Sequence, residues 1–345
     1  MCRAGTIPAV LSIFLVTFPF FALIAAGYAG ARRRWLPLEA IPGLNTFVLY
    51  FALPCMLFRF GAGTPIAQLL DGRVVLVWAL CASVLVGGVV GFTRNTRIRW
   101  NDAAFGAMVA AFSNTGFMGV PLITALLGPQ VAGPIILTII FDVFVTSSVC
   151  IALSRLDAAD KHGASRALRQ ALKGVFVNPL PWAILLGAAA SVLQWRLPGP
   201  IDRTVAMLAD AASPAALFTI GAVLARSAML SGRHDGSAAV AAAMGSRGAA
   251  IATAPLVDVL PVVAAKLFAH PLLVYAAARA LAALGYPLSP QAEVAIVLVA
   301  ALPSASNVAM LAERFGADNG RIARIILWST AAAFLSFPLV VGWLR

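Results

Sequence analysis

Charge is scarce in this sequence: 11% of its 345 residues are Asp, Glu, Lys or Arg, and the acids number 13. A typical soluble domain carries roughly 25% charged residues. A water-covered globule of this size is therefore excluded, because its surface could not be made polar enough. Histidines number three and cysteines four. His162, His234 and His270 show no ligand spacing, and Cys2, Cys55, Cys81 and Cys150 no paired spacing, so neither a metal site nor a disulfide framework is expected. No Gly-x-x-x-x-Gly-Lys-Ser/Thr stretch and no His-Glu-x-x-His occurs. Direct ATP coupling and zinc-dependent hydrolysis have no support, and no enzyme activity or cofactor is expected.

Apolar side chains are abundant instead, at 61%, with a mean hydropathy of +0.93. At about 20 apolar residues per membrane-crossing helix, this composition supplies about ten spans. Apolar runs bounded by Arg, Gly, Pro or Asp lie near residues 8–31, 41–60, 73–93, 103–126 and 131–154, then 175–194, 203–225, 258–284, 290–312 and 321–344. The first run is followed rather than preceded by its charges, Arg32 to Arg34, the reverse of a secretory signal.

The net charge of +12 would suggest nucleic acid in a soluble chain. Here 17 of the 25 basic residues fall in the loops after odd-numbered runs. By the positive-inside rule those loops are cytoplasmic and both termini lie outside. The expectation is a multi-pass protein of the cytoplasmic membrane whose partners are lipid and a small solute, with no nucleic acid. The Ala- and Gly-rich stretch from Gly236 to Pro255 contains Arg247 and reads as cytoplasmic loop or surface-lying segment.

The chain also resembles itself. Ala52-Leu-Pro54-Cys-Met-Leu57-Phe58 recurs as Ala212-Ser-Pro214-Ala-Ala-Leu217-Phe218, offset by 160, which also pairs Pro19 with Pro179 and Gly27 with Gly187. Farther on the offset is 190, pairing Val109-Ala-Ala111 with Val299-Ala-Ala301. Two five-span halves follow: residues 1–154 and 175–345, joined by a linker over 155–174, with a cytoplasmic loop near 226–256. An odd number of spans per half inverts the second half, a plan common to secondary transporters, whose substrate sits near the midplane between halves.

Polar and helix-breaking residues gather at equivalent places in spans 4 and 9. Span 4 contains Ser113-Asn114-Thr115-Gly116 followed by Gly119 and Pro121. Span 9 contains Pro303-Ser304-Ala-Ser306-Asn307. Such breaks persist in a membrane only inside protein or along a cavity. Half-helix N-termini there present positive dipole ends to an anion. The amides of Asn114 and Asn307 and the hydroxyls of Ser113, Thr115, Ser304 and Ser306 are candidate carboxylate ligands, and Gly116 and Pro303 belong to the same candidate substrate site. A pair of kinks whose hydroxyls bond back to carbonyls is the plainer alternative.

Phe51-Ala-Leu-Pro54-Cys-Met-Leu-Phe58, Ser113-Asn-Thr-Gly-Phe-Met-Gly-Val-Pro121, and Leu302-Pro303 followed by Leu311-Ala-Glu-Arg-Phe-Gly316 resemble the auxin efflux carrier family, which includes plant auxin exporters and bacterial malonate or malate carriers. The resemblance runs over nearly the whole chain. It implies an all-α polytopic membrane protein: ten transmembrane helices as a 5+5 inverted repeat with broken, crossing helices 4 and 9, carrying an organic mono- or dicarboxylate. Ser113 stands where plant members have proline, and their large central loop is absent.

Asp142 lies about 16 Å from either end of span 5 at 1.5 Å rise per residue. A carboxylate at that depth is costly and marks an ion or proton pathway, which makes Asp142 the candidate for coupling to H+ or Na+. Lys266, Arg59 and Arg279 read as charges snorkelling to the interface, and His270 as a packed histidine beside Pro271. Gly87-x-x-x-Gly91 permits close helix contact within one subunit or in a homodimer. A secondary carrier of small organic anions is the reading these features carry. A non-transporting sensor would need a soluble output domain, and an integral-membrane enzyme a nucleophile–base pair; neither is present in the sequence.

Overall fold

The computed structural model describes residues 9–64, 71–156, 179–243 and 256–344, and among these the regular structure is helical. The helices are α1 (Ala9–Arg32), α2 (Leu38–Gly63), α3 (Gly72–Thr93), α4a (Trp100–Ala111), α4b (Thr115–Leu127) and α5 (Pro129–Leu153). The second half contains α6 (Pro179–Val192), α7 (Gly199–Ala243), α8 (Leu256–Ala283), α9a (Pro290–Ala301), α9b (Val308–Arg314) and α10 (Asn319–Leu344). Among the described residues, six runs are long and apolar enough to cross a membrane: α2, α3, α5, α8, α10 and the Gly199–Arg226 portion of α7. The protein is thus an all-α polytopic membrane protein. The expected loop near 226–256 begins differently: α7 continues through it to Ala243 as unbroken helix. Most of the 155–174 linker, and residues 244–255, lie outside the described residues.

The helices are apolar on both faces, as lipid requires. On α3, Val74, Val77, Trp78, Cys81 and Leu85 are buried in the protein while Leu76, Leu80 and Val84 are about half exposed.

Four helices pack as two close pairs, α1 with α7 and α2 with α6. Glycine makes this possible. A Cβ placed on Gly27 would lie 1.9 Å from the Phe218 carbonyl oxygen, and one on Gly221 1.9 Å from that of Ile24. In the other pair a Cβ on Gly61 would lie 2.8 Å from the Ile184 oxygen, and one on Gly187 2.3 Å from that of Phe58. Each contact of one pair becomes a contact of the other when its residue numbers shift by 160. Among the described residues nothing lies within 4 Å of a Cβ on Gly87 or Gly91, so these glycines serve no close contact there.

The remaining helices, α3, α4, α5, α8, α9 and α10, pack around the two breaks. One end of this group is tied by Arg321, which is 2% exposed. Its guanidinium donates to the main-chain oxygens of Asp102 at 2.9 Å and Asp258 at 3.2 Å. It lies against Gly106, where a Cβ would come within 2.8 Å of Nη1.

Candidate functional site: the crossing of two broken helices

Helix α4a stops at Ala111 because Phe112 is extended (φ −79°, ψ 105°), and α9a stops at Ala301 because Leu302 is extended (φ −64°, ψ 155°). Pro303 enforces the second stop by disfavouring helical geometry in the residue before it. Ser113 and Ser304 then face each other as one antiparallel bridge. The Asn114 N–H donates to the Pro303 oxygen at 2.9 Å, and the Ala305 N–H to the Phe112 oxygen at 3.0 Å. Each break supplies the hydrogen bonds that the other has lost, as a buried interruption in lipid demands.

Three wide, π-type turns surround this crossing: Thr115–Gly119, Asp142–Thr146 and Ala265–Ala269. The first and third, like a fourth at Val48–Ala52, end two residues before a proline: Pro121, Pro271 and Pro54 respectively. A proline lacks the N–H and its ring crowds the carbonyl four residues back, so the ladder widens there. The turn at Asp142 has no such proline. Instead Asp142 Oδ1 accepts from the Thr146 hydroxyl at 2.9 Å and from the Trp78 indole at 3.0 Å. Its Oδ2 is buried without a hydrogen-bond partner.

Sequence reasoning placed Lys266 at the interface; the structure places it in the interior. It is the second residue of the third wide turn, about 15 Å along α8 from Leu256, and its side chain is fully buried. Its Nζ donates to Ser113 Oγ at 2.5 Å and to the Ala300 carbonyl at 3.2 Å, and lies 3.0 Å from His270 Nδ1. The His270 ring packs at 5.2 Å, tilted, against Trp78. Trp78, Asp142, Thr146, Ser113, Lys266 and His270 thus form one buried polar cluster behind the break of span 4. Depth along the helix was the available signal for Lys266: the snorkelling reading fits a lysine in the last turn, not one nearly three turns in.

The eight residues expected at the breaks divide in two. Ser113, Asn114, Thr115, Pro303 and Ser304 are buried in the crossing itself. The Ser304 N–H is taken by the Ser329 hydroxyl at 3.2 Å, while the Ser304 hydroxyl is buried and unpartnered. Ser306 and Asn307, by contrast, line a cavity of about 400 Å³, within the range of small-molecule sites. Gly116 is half-buried, with nothing within 4 Å of a Cβ. The cavity continues the span 9 break outward and is walled by α2, α7 and α10, which add Asn45, Thr46, Arg226 and Asn319. Arg226 is the charged residue of that lining, so the cavity is electropositive. In the sequence Arg226 is one of the 17 basic residues that follow odd-numbered runs.

The profile of a family described as membrane transport protein matches residues 12–341. The chain belongs to that family. A "Putative malonate transporter" of Rhizobium meliloti (strain 1021) is 29% identical over 334 residues, covering 95% of this chain and 94% of the relative. An "Uncharacterized transporter" of Methanothermobacter thermautotrophicus is 26% identical over 344 residues, covering 98% of each. "Auxin efflux carrier component 8" of Arabidopsis thaliana is 20% identical over 259 residues, 61% of this chain and 71% of the relative. The auxin-carrier resemblance of the motifs is borne out, and the chain is a multi-pass membrane transporter.

The other charges near span ends have ordinary settings. Arg59 and Asp210 are both exposed. Arg279, largely exposed, approaches Glu293 at 3.8 Å. Of the cysteines, Cys55 is half-buried and Cys81 and Cys150 are buried, all three as free thiols; Cys2 lies outside the described residues. No group of three or more metal-ligating side chains occurs among the described residues.

Proposed function

We propose that this transporter is a secondary carrier that moves a small organic carboxylate across the cytoplasmic membrane by alternating access. Ten spans arranged as two inverted five-span halves carry it, with the termini outside. The observation that carries the reading is the cavity at the span 9 break. There Ser306, Asn307, Asn319 and Arg226 offer hydrogen-bond donors and one positive charge to an anion. The glycine contacts that repeat with a shift of 160 support two halves of common design. The excess of basic residues on one side supports the orientation, which sets the cavity, with Arg226 at its rim, toward the cytoplasm. In this reading Asn307 and Ser306 receive the carboxylate, and Asn114, Thr115, Gly116, Pro303 and Ser304 shape and move the crossing beneath it. Asp142, beside Ser113, takes part in coupling to a proton or cation. The name of the Rhizobium relative makes malonate the first substrate to try.

Purified protein in liposomes loaded with unlabelled malonate should take up labelled malonate by exchange, with acetate and succinate tested in parallel. Arg226→Gln should weaken the apparent affinity by about tenfold or more, since a charge-assisted hydrogen bond contributes about 1.5–3 kcal/mol. Failure of the wild type to exchange any mono- or dicarboxylate would refute the proposal.

A further inference from the structure

We infer that the ammonium of Lys266 is a built-in cation at the crossing, so that the coupling ion of this carrier is a proton bound by Lys266 and not sodium. The inference rests on the carrier reading above and deepens it.

An ammonium has three donors, and Nζ of Lys266 has three neighbours able to receive them: Ser113 Oγ at 2.5 Å, the Ala300 carbonyl at 3.2 Å and His270 Nδ1 at 3.0 Å. These sit on three helices, at the break of span 4, in the last turn of α9a, and one turn along α8. Unwound backbone and the C-terminal ends of half-helices are where broken-helix transporters coordinate a coupling cation. Here the carbonyl of the α9a end is already engaged by Lys266. The side chain is fully buried, and a buried charge persists only when paired.

The groups facing Lys266 supply that pairing. His270 is on its own helix and Asp142 on α5, with the thiol of Cys150 one side of Asp142 and that of Cys81 one turn from Trp78 on α3. Helix α9a gives a carbonyl, α4 a hydroxyl and α10 the Ser329 hydroxyl at the neighbouring Ser304. Arg321, Asp258 and Asp102 meet at one helix end, and Glu293 with Arg279 elsewhere. Asp142 is the carboxylate of this buried cluster and balances the ammonium from a distance, without a direct ion pair; its Oδ2 is buried with no side-chain hydrogen-bond partner.

Through the Ser113 hydroxyl the ammonium touches the segment whose backbone holds α9 at the crossing. A proton on Lys266 fixes that geometry and offsets the charge of an arriving carboxylate. Loss of the proton leaves three acceptors competing for fewer donors and loosens the crossing. Binding of anion and proton is thus mutually reinforcing, and the proton travels with the anion.

The test uses the full chain in liposomes with labelled malonate, acetate and succinate under an imposed pH or sodium gradient. In the wild type, an inward proton gradient of about one unit should raise accumulation about tenfold for one coupled proton, and a sodium gradient should add nothing. Lys266→Gln should lose gradient-driven accumulation, and the exchange that remains should be weaker and no longer depend on pH. Ser113→Ala, which keeps the ammonium but removes one acceptor, should move the midpoint of the pH profile by about one unit toward acid, a shift that a purely structural role for Ser113 does not produce. Sodium-driven accumulation by the wild type, proton-driven accumulation by Lys266→Gln, or an unmoved profile in Ser113→Ala would each overturn the inference. A wild type that moves no carboxylate under any gradient overturns the carrier reading itself and is told apart by that result.

Discussion

Replacing Gly27 by alanine tests the packing on which the crossing's support depends. The added methyl would sit 1.9 Å from the Phe218 carbonyl oxygen, whereas carbon and carbonyl oxygen approach to about 3.3 Å at the closest. Helices α1 and α7 must therefore separate by about 1.4 Å, and the obstacle is backbone, which cannot turn aside as a side-chain end can. Overpacking costs about 1–3 kcal/mol where side chains can adjust, so a loss of about 3 kcal/mol or more is expected. Gly221→Ala attacks the same interface at the Ile24 oxygen, also at 1.9 Å. Once one methyl has forced the helices apart, the second meets less resistance, so the Gly27→Ala/Gly221→Ala double variant should lose less than the sum of the singles. Gly27→Ala with Gly187→Ala places one methyl in each of two interfaces, and those losses should add. Gly88, with nothing within 4 Å of a Cβ, is the control: alanine there should be neutral or stabilise by up to about 1 kcal/mol through helix propensity. Thermal unfolding in detergent, followed by tryptophan fluorescence and size exclusion, measures all of these. A Gly27→Ala protein as stable as the wild type, or additivity in the Gly27/Gly221 pair, would refute the reasoning.

Three further outcomes are expected. Asp142→Asn should fold and bind substrate but lose the wild-type dependence of uptake on pH and ions; an unchanged dependence removes Asp142 from coupling. Asp71 caps α3, its Oδ1 accepting from the Arg73 N–H and Nε, each at 3.0 Å, so Asp71→Ala should cost about 1 kcal/mol. Burial raises the Asp71 carboxyl, but the bonds from Arg73 outweigh it and hold the group below its ordinary value. Its contribution should therefore be present at neutral pH and disappear as pH falls below the carboxylate range, which melting curves against pH will show. In single-cysteine proteins, maleimide should label the half-buried Cys55 faster than Cys81 or Cys150; equal rates would contradict the packing of α3 and α5.

Much of the fold was legible in the sequence because lipid imposes simple rules. Apolar length marks helices, and helix breakers in mid-span mark places that need protein around them. The described helices fall where the apolar runs were read, with breaks at Ser113 and Pro303. The end of span 7 was misjudged, because Ala and Gly with scattered charge are equally compatible with a loop and with a helix continuing to Ala243.

The site was half legible. Composition pointed to Ser113, Asn114, Ser304 and Asn307 but could not sort them, since a residue beside a break can turn inward to the partner break or outward to a cavity. Helix rotation and the partner's position decide that, and they placed Ser306 and Asn307 on the cavity while burying Ser113 and Ser304. Arg226 and Lys266 were seen but misread for the same reason. A charge near a helix end obeys topology rules, and whether it reaches the interface or an interior acceptor depends on what the other helices bring to it.

The sequence by itself determined that this chain lives in lipid, how its helices run, and where two of them break, because those outcomes depend on local composition and the low dielectric of the bilayer. Tertiary structure alone decided that the breaks pair with each other through Ser113 and Ser304. It also decided that Lys266 finds Ser113, Ala300 and His270, and that Arg226 shares a cavity with Asn307. These are meetings of residues far apart in the chain, and hydrogen bonding in a water-free interior rewards them only once packing has brought the helices together.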